Sequence, residues 1–311
     1  MKISVIIITM NRKVDLKASL ESYLSQSHKD KEIIVVDNAS DDGTREMMRD
    51  EYPEIDYTWL PDNFDIRSLN IAVSRSSGDI LWRTDDDSYP QDKDAFKRVC
   101  EILEKYPEID IISTEDIEVR DDYQIYDWYP LQVDKINIPP TGYKSHTFHG
   151  TGAAIRKKVF DTIGGFWEFG FEELDFSTRA ILAGFNIRYF PNIRTLHFGS
   201  KGNRIVDDRW VKINKQLLRY QWKFMPFWIA LGRTFIFFIN AVIDAFYKKI
   251  KLTTFFEGMF GMVSVSFMAY RKERMVIPKS KMYDATLGIS AFRAQFLFFK
   301  SVITRKFFKK K

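Results

Sequence analysis

Strand-length β-branched runs alternate with helix-period segments along the front of this chain, and that order leaves few folds open. Ile3–Thr9 is an unbroken apolar run, and residues 13–26 then set Val14, Leu16, Leu20, Tyr23 and Leu24 near helical spacing. Glu32–Asp37 is a second buried run, Asn38–Gly43 has turn chemistry, and Thr44–Tyr52 is a short helix stopped by Pro53. Ile55–Leu60, Ser68–Ser76 and Asp79–Arg83 repeat the strand, helix, strand order. A helix at 92–105, a strand at Asp110–Ser113 and an irregular aromatic stretch at 120–149 follow. Strand then helix at 151–163, a helix at 172–184 closed by Gly184, a strand at Asn186–Tyr189 and an apolar edge at Arg194–His197 complete the series. Such alternation predicts an α/β fold whose parallel strands are joined by crossover helices and whose ligands bind at the carboxyl ends of the strands.

Charge divides the chain in two. Residues 1–200 carry 24 Lys/Arg against 36 Asp/Glu, whereas residues 201–311 carry 23 against 6. The expected division is therefore 1–204, the α/β unit, and 205–311, a basic, aromatic-rich helical extension. Within 225–251, Arg233, Asn240, Asp244, Lys248 and Lys251 form one polar stripe on an otherwise apolar helix. Placing an Arg at the centre of a spanning helix costs about 2.5–3.5 kcal/mol, so the segment is expected to lie in a membrane interface rather than cross it. The clusters Lys248-Lys249, Arg271-Lys272 and Lys309-Lys310-Lys311 alternate with aromatics, as on an anionic bilayer surface. An oligomer interface or an ordinary helical cap is the plainer alternative. No RNA-binding motif accompanies the charge, so nucleic acid is not an expected partner. Cys100 is the only cysteine, which excludes an internal disulfide or a cysteine-cluster zinc site. The opening MKISVIIIT is too short for a signal peptide, and a reducing, cytoplasmic setting is expected.

Asp85-Asp86-Asp87 carries the most chemistry. Three adjacent carboxylates after a buried strand repel one another unless a cation neutralises them. Alternation in an extended chain would point Asp85 and Asp87 the same way, and hard oxygen ligands favour Mg²⁺ or Mn²⁺. A solvated acidic turn is the alternative. Asp37, also at a strand end, can accept hydrogen bonds from a base or ribose, or cap an Asx-turn.

The ordered set Ile6-Ile7-Ile8-Thr9-Met10-Asn11-Arg12, Val35-Val36-Asp37-Asn38-Ala39-Ser40-Asp41-Asp42-Gly43-Thr44, Gly78-Asp79-Ile80 leading into Asp85–Asp87, Gly164-Gly165-Phe166, Glu172–Arg179, Gly184-Phe185 and His197 resembles the family-2 glycosyltransferases of GT-A fold, over about residues 2–200. The resemblance implies a Rossmann-like open mixed sheet flanked by helices, with the C-terminal helices as a membrane-associating extension. It implies that Thr9 and Asp37 line a nucleoside pocket, with Asn11 and Arg12 beside it and Arg67 and Asn70 near the phosphates or the pocket wall. Asp85 and Asp87 would hold the divalent metal, with Asp86 a supporting residue or a contact to the sugar. Glu173, or its neighbour Glu172, would be the general base, and His197 an extra metal or phosphate ligand. His149-Gly150-Thr151-Gly152 is a candidate acceptor-side loop.

The chain departs from the family pattern at Ile8 and Met10, at Leu69 and at Glu173, where Pro, Tyr, Arg and Asp are usual. The implied donor is a UDP-, GDP- or dTDP-sugar. The implied acceptor is a hydroxyl of a glycan or lipid-linked molecule at the cytoplasmic face of a membrane, with inversion, in cell-surface polysaccharide or glycoconjugate synthesis. Two rival readings are a non-catalytic sugar-nucleotide-binding scaffold and a sugar nucleotidyltransferase. The latter needs a Gly-rich phosphate loop, and Thr9-Met10-Asn11-Arg12 has no glycine.

Overall fold

The computed structural model describes residues 1–119, 124–126, 129, 131–199 and 206–287; the terminal basic run with Lys309–Lys311 lies outside them. In chain order come β1 (Ile3–Thr9), α1 (Lys13–Leu24), β2 (Lys31–Asn38), α2 (Thr44–Glu51), β3 (Asp56–Leu60), a 3-10 turn (Asp65–Ser68) and α3 (Leu69–Arg75). Then follow β4 (Ile80–Asp85), β5 (Ser88–Pro90), α4 (Ala95–Lys105), β6 (Ile111–Glu118), β7 (Gln124–Tyr126), β8 (Tyr143–Lys144), β9 (Ala153–Arg156), α5 (Lys157–Ile163), α6 (Glu172–Ala183) and β10 (Ile187–His197). Four helices close the described chain: α7 (Val206–Phe224), α8 (Phe227–Lys248), α9 (Leu252–Lys272) and α10 (Lys279–Thr286).

One mixed sheet runs in the order β3-β2-β1-β4-β9-β6-β10-β5, with β7 on β6 and β8 on β10. Strands β3, β2, β1 and β4 are parallel neighbours; β9 is antiparallel to both β4 and β6, and β6 is parallel to β10. The β-branched run of β1 is continuous because both faces of the sheet are covered. Ile3, Val5 and Ile7 pack with Leu16, Leu20, Phe96 and Val99 of α1 and α4. The alternate residue Ile6 packs with Leu69, Val159, Phe176 and Ala180 of α3, α5 and α6. The parallel strands therefore end together on one edge, which carries Thr9, Asn38 and Asp85.

Two strands extend beyond the sequence reading. Strand β6 runs past Ser113 through buried Thr114, Glu115 and Asp116. The hydrophobic pattern lapses there because those side chains face other polar groups. Strand β10 joins the two predicted pieces into one, with a register shift between Phe190 and Arg194 around Pro191. The short strand β5, absent from the sequence reading, pairs antiparallel with the end of β10.

The C-terminal helices are docked on the α/β layer through α7. Along one face of that helix, Lys212 pairs with Asp65 at 2.8 Å, Arg219 with Glu168 at 3.1 Å and Lys223 with Asp175 at 2.5 Å. Its other face gives Trp210 and Leu218 to a core with Phe237, Ala241, Ala245 and Met262 of α8 and α9. Helices α8 and α9 both pack on α7, where Trp222 touches Phe227 at the start of α8 and Tyr270 near the end of α9, and these two rings also meet each other. The polar stripe lies on the flank of α8, with Arg233, Asn240 and Asp244 half-buried, and not on its outer face. Outward stand Phe235 (70% exposed), Phe246 (89%), Phe260 (78%) and Phe267 (62%). By length and composition Phe227–Phe246 and Leu252–Lys272, with mean hydropathy 1.7 and 1.3, are each able to cross a membrane.

Candidate functional site

The acidic triplet is a turn. Strand β4 ends on Asp85, Asp86 and Asp87 reverse the chain, and β5 starts at Ser88. Asp85 and Asp87 thus converge through a tight turn and not through the strand alternation expected from the sequence. Helix α1 holds that turn from behind: Ser19 Oγ donates to the Asp86 carbonyl at 2.7 Å, and the Tyr23 hydroxyl donates to the Ser88 carbonyl at 2.9 Å. The register of β5 on β10 sets His197 opposite Ser88. In consequence one ligand atom each from Asp85, Asp87 and His197 lie within 4.8 Å of one another.

This donor set fits a divalent cation. Two carboxylates and an imidazole suit a hard to borderline ion such as Mn²⁺ or Mg²⁺. His197 turns Nε2 toward Asp87 Oδ1 at 3.5 Å and Nδ1 toward Asp116 Oδ2 at 3.7 Å. A carboxylate behind a ligating imidazole is the usual way its tautomer and orientation are fixed. Asp116 also faces His149 Nδ1 at 3.2 Å. Burial pushes the Asp116 carboxyl up to about 7 and pulls the His149 imidazole down to about 3, the latter helped by His197 and Arg83.

Asp86 points away from this group. It accepts from Thr9 Oγ1 at 2.8 Å and from Arg12 Nη1 at 3.0 Å, and the same guanidinium nitrogen lies 2.5 Å from Asp87 Oδ2. Burial drives the Asp86 carboxyl up to about 7 despite Arg12.

Facing Arg83 from another element, Phe171 in the left-handed region (φ 64°) turns the chain into α6, whose first residues are Glu172 and Glu173. Glu172 accepts from the Gly170 N–H at 2.6 Å. Burial, with repulsion from Glu173, pushes the Glu172 carboxyl well above the usual range; burial also raises Glu173, against the pull of Arg83. Arg83 Nη1 lies 3.0 Å from Asp85 Oδ1 and donates to the Gly150 carbonyl, while Nη2 lies 3.4 Å from Glu173 Oε1.

At the ends of β1 and β2 two loops interlock. The Asn11 N–H donates to Ser40 Oγ and Asn11 Oδ1 accepts from the Asp41 N–H, both at 2.8 Å. Asp37 is fully buried; it accepts from the Ser40 N–H, three residues on, at 2.9 Å and from the Tyr57 hydroxyl at 2.6 Å.

Thr9, Asn11, Arg12, Asp37, Asp85, Asp86, Asp87, Glu172, Glu173 and His197 therefore share the carboxyl edge of the sheet or the loops facing it. Arg67 and Asn70 do not join them. The Asn70 amide clamps the Phe166 backbone, donating to its carbonyl at 2.7 Å and accepting from its N–H at 2.8 Å. Gly165 is needed beside it, since a Cβ there would meet Asn70 Oδ1 at 1.9 Å. Arg67 is exposed and lines a cavity of about 160 Å³ with Asp65, Lys212 and Gln216 of the α7 junction.

No sequence motif assigns a role to Arg83 or Asp116. Their signal was a charged residue inside a buried run, Arg83 after Ile80-Leu81-Trp82 and Asp116 before Ile117.

The glycosyl transferase family 2 profile matches residues 4–164. The putative glycosyltransferase EpsE of Bacillus subtilis is 30% identical over 175 residues, 53% of this chain and 60% of that protein. A glycosyltransferase of Haemophilus influenzae is 26% identical over 165 residues, 52% of this chain and 55% of that protein. The chain thus spans less than two thirds of either relative. The mannosyltransferase PcManGT from Pyrobaculum calidifontis, solved with GDP-Man and Mn²⁺, superposes with a TM-score of 0.55 at 18% identity, covering 98% of this chain and 81% of that one. Residues 1–349 of S. aureus TarS, solved with UDP-GlcNAc, give 0.59 at 16% identity, covering 86% and 82%. These two likenesses establish the fold.

Proposed function

Because the chain belongs to glycosyl transferase family 2 and has the GT-A fold, we propose that it transfers a sugar from a nucleoside-diphosphate sugar to a hydroxyl of a glycan or lipid-linked acceptor. The observation that carries this reading is the convergence of Asp85, Asp87 and His197 within 4.8 Å at the sheet edge, with Glu172 and Glu173 across Arg83 from Asp85.

Thr9, Asn11, Arg12 and Asp37 form the nucleoside side, with Asp86 bracing Thr9 and Arg12 from below. Asp85, Asp87 and His197 are the residues that would hold a divalent ion, Mn²⁺ or Mg²⁺. Such an ion, when bound, supplies positive charge to a departing diphosphate. Glu173, or Glu172 beside it, takes the proton of the acceptor hydroxyl. That oxygen bonds to the anomeric carbon from the face opposite the nucleotide, and the bond from that carbon to the diphosphate oxygen breaks, giving inversion. PcManGT with GDP-Man and TarS with UDP-GlcNAc support a nucleotide-sugar donor.

The apolar outer faces of α8 and α9 support attachment to the cytoplasmic face of a membrane, where a lipid-linked or nascent polysaccharide acceptor is presented. Cations stand at both ends of this plate, Lys248, Lys249 and Lys251 at one and Arg271, Lys272 and Arg274 at the other, as an anionic headgroup layer favours.

A screen of UDP-, GDP- and dTDP-sugars with Mn²⁺, reading nucleoside diphosphate release, tests the reading. At least one donor should be turned over by the wild type and none by Asp87→Ala. Metal-independent binding of every donor, with no release, would favour the scaffold instead.

A further inference from the structure

Arg83 stands on β4 where its neighbours Leu81 and Trp82 are apolar, and its side chain is only 3% exposed. Burying a guanidinium is costly unless it is paired and hydrogen-bonded. Its partners are those of two different half-sites: Asp85 on the donor side at 3.0 Å, Glu173 on the acceptor side at 3.4 Å, and the Gly150 carbonyl between. Asp85 and Glu173 repel each other, and Asp85 adds to the upward push on the Glu173 carboxyl. The planar fork of Arg spans two acceptors at fixed separation, which an ammonium cannot do.

Gly150 is built around this contact. A Cβ there would lie 2.0 Å from Arg83 Nη1 and 2.4 Å from Glu173 Oε1. The glycine of the 149–152 loop thus lets backbone close over the guanidinium without wedging it from the carboxylate.

We infer that Arg83 is a positioning residue which sets Glu173, at the acceptor hydroxyl, in register with the donor-binding carboxylate Asp85. This rests on the assignment of Glu173 as the base. Arg83 touches neither reacting atom; it acts through Glu173.

The test is a double-mutant cycle on the full chain with a donor that the wild type turns over. Arg83→Lys keeps the charge and loses the fork, and transfer kcat should fall on the order of 10- to 100-fold, as expected for a misplaced catalytic group. The donor dissociation constant, read by calorimetry with Mn²⁺, should change by less than about threefold, well short of the factor expected for one lost charged hydrogen bond. In the Glu173→Gln background the same substitution should cost almost nothing, because the two residues act as a unit. Gly150→Ala, which leaves both charges in place, should reproduce the kcat loss and serves if Arg83→Lys does not fold. Additive losses, or a loss confined to donor affinity, would overturn the inference. Absence of turnover in the wild type with every donor would instead count against the proposed activity.

Discussion

His197 Nε2 lies 3.5 Å from Asp87 Oδ1, brought there by the antiparallel register of β5 on the end of β10, while Asp116 stands behind the same imidazole. The residues of the proposed metal centre rank in order of directness. Titration with Mn²⁺ followed by electron paramagnetic resonance should show that Asp87→Ala abolishes specific binding. Asp116→Asn should weaken it by about 10- to 100-fold, as removal of an outer partner of a ligating imidazole does. Unchanged Mn²⁺ affinity in Asp87→Ala would sink the assignment, whatever the activity.

Glu172 gives a pH dependence of definite sign. Burial and the neighbouring Glu173 raise its folded pKa from the ordinary 4.5 to about 8. Between those two values the unfolded chain has already released a proton that the folded chain retains. Its contribution to stability is therefore fully present below about 4.5 and is lost progressively as the pH rises to about 8. Glu172→Gln keeps an acceptor for the Gly170 N–H and removes the titration. Its melting temperature relative to wild type should climb from about pH 4.5 to pH 8 and then level off. A difference that is flat across this range would refute the raised pKa.

Much of this site was legible in the sequence because its residues stand at the ends of strongly patterned strands. Thr9, Asp37 and Asp85 are each the point at which an apolar run meets a carboxylate or hydroxyl, and the sheet order then brings them to one edge. What escaped was of another kind. Arg83 and Asp116 lie inside β4 and β6, where a charge interrupts the pattern that identifies a strand, and only three-dimensional pairing shows what offsets its burial. Asn70, expected near the phosphates or the pocket wall, has its amide engaged by the Phe166 backbone, a bond between residues 96 apart that no local pattern shows. The strand alternation assumed for Asp85 and Asp87 also failed, because a turn can bring adjacent carboxylates together as well as a strand can.

An ion pair with a buried lysine helps to join the α/β layer to the C-terminal helices. Lys223 Nζ, 1% exposed, lies 2.5 Å from Asp175 Oδ1, and Arg179 Nε lies 2.7 Å from Asp175 Oδ2. Burial lowers the Lys223 pKa and Asp175 opposes that shift. Asp175→Ala strands two cations and should cost on the order of 3–5 kcal/mol in urea unfolding. Lys223→Met leaves Asp175 paired with Arg179 and should cost distinctly less. Equal costs for the two would mean that cations left without their carboxylate are not what makes Asp175→Ala costly.

The membrane attachment proposed for this protein rests on the outer faces of α8 and α9. Phe235 and Phe260 are 70% and 78% exposed, so Phe235→Glu with Phe260→Glu should leave the fold intact. Each lost phenyl contact with lipid removes about 1.5–3 kcal/mol, and co-sedimentation with phosphatidylserine-containing vesicles should collapse. High salt alone should only weaken binding, since it screens the basic ends but not the apolar face. Helix α7 then argues that the pair lies flat. It is packed along α8 and α9 and carries Lys212, Lys215 and Arg219. A spanning hairpin would draw these cations into hydrocarbon at about 2.5–3.5 kcal/mol each. With Cys100 replaced by Ser, Lys249→Cys supplies a single thiol in the turn between the two helices. A membrane-impermeant maleimide added to the side bearing the catalytic domain should label it. Protection from that side, with labelling only after the vesicles are opened, would mean that the helices cross.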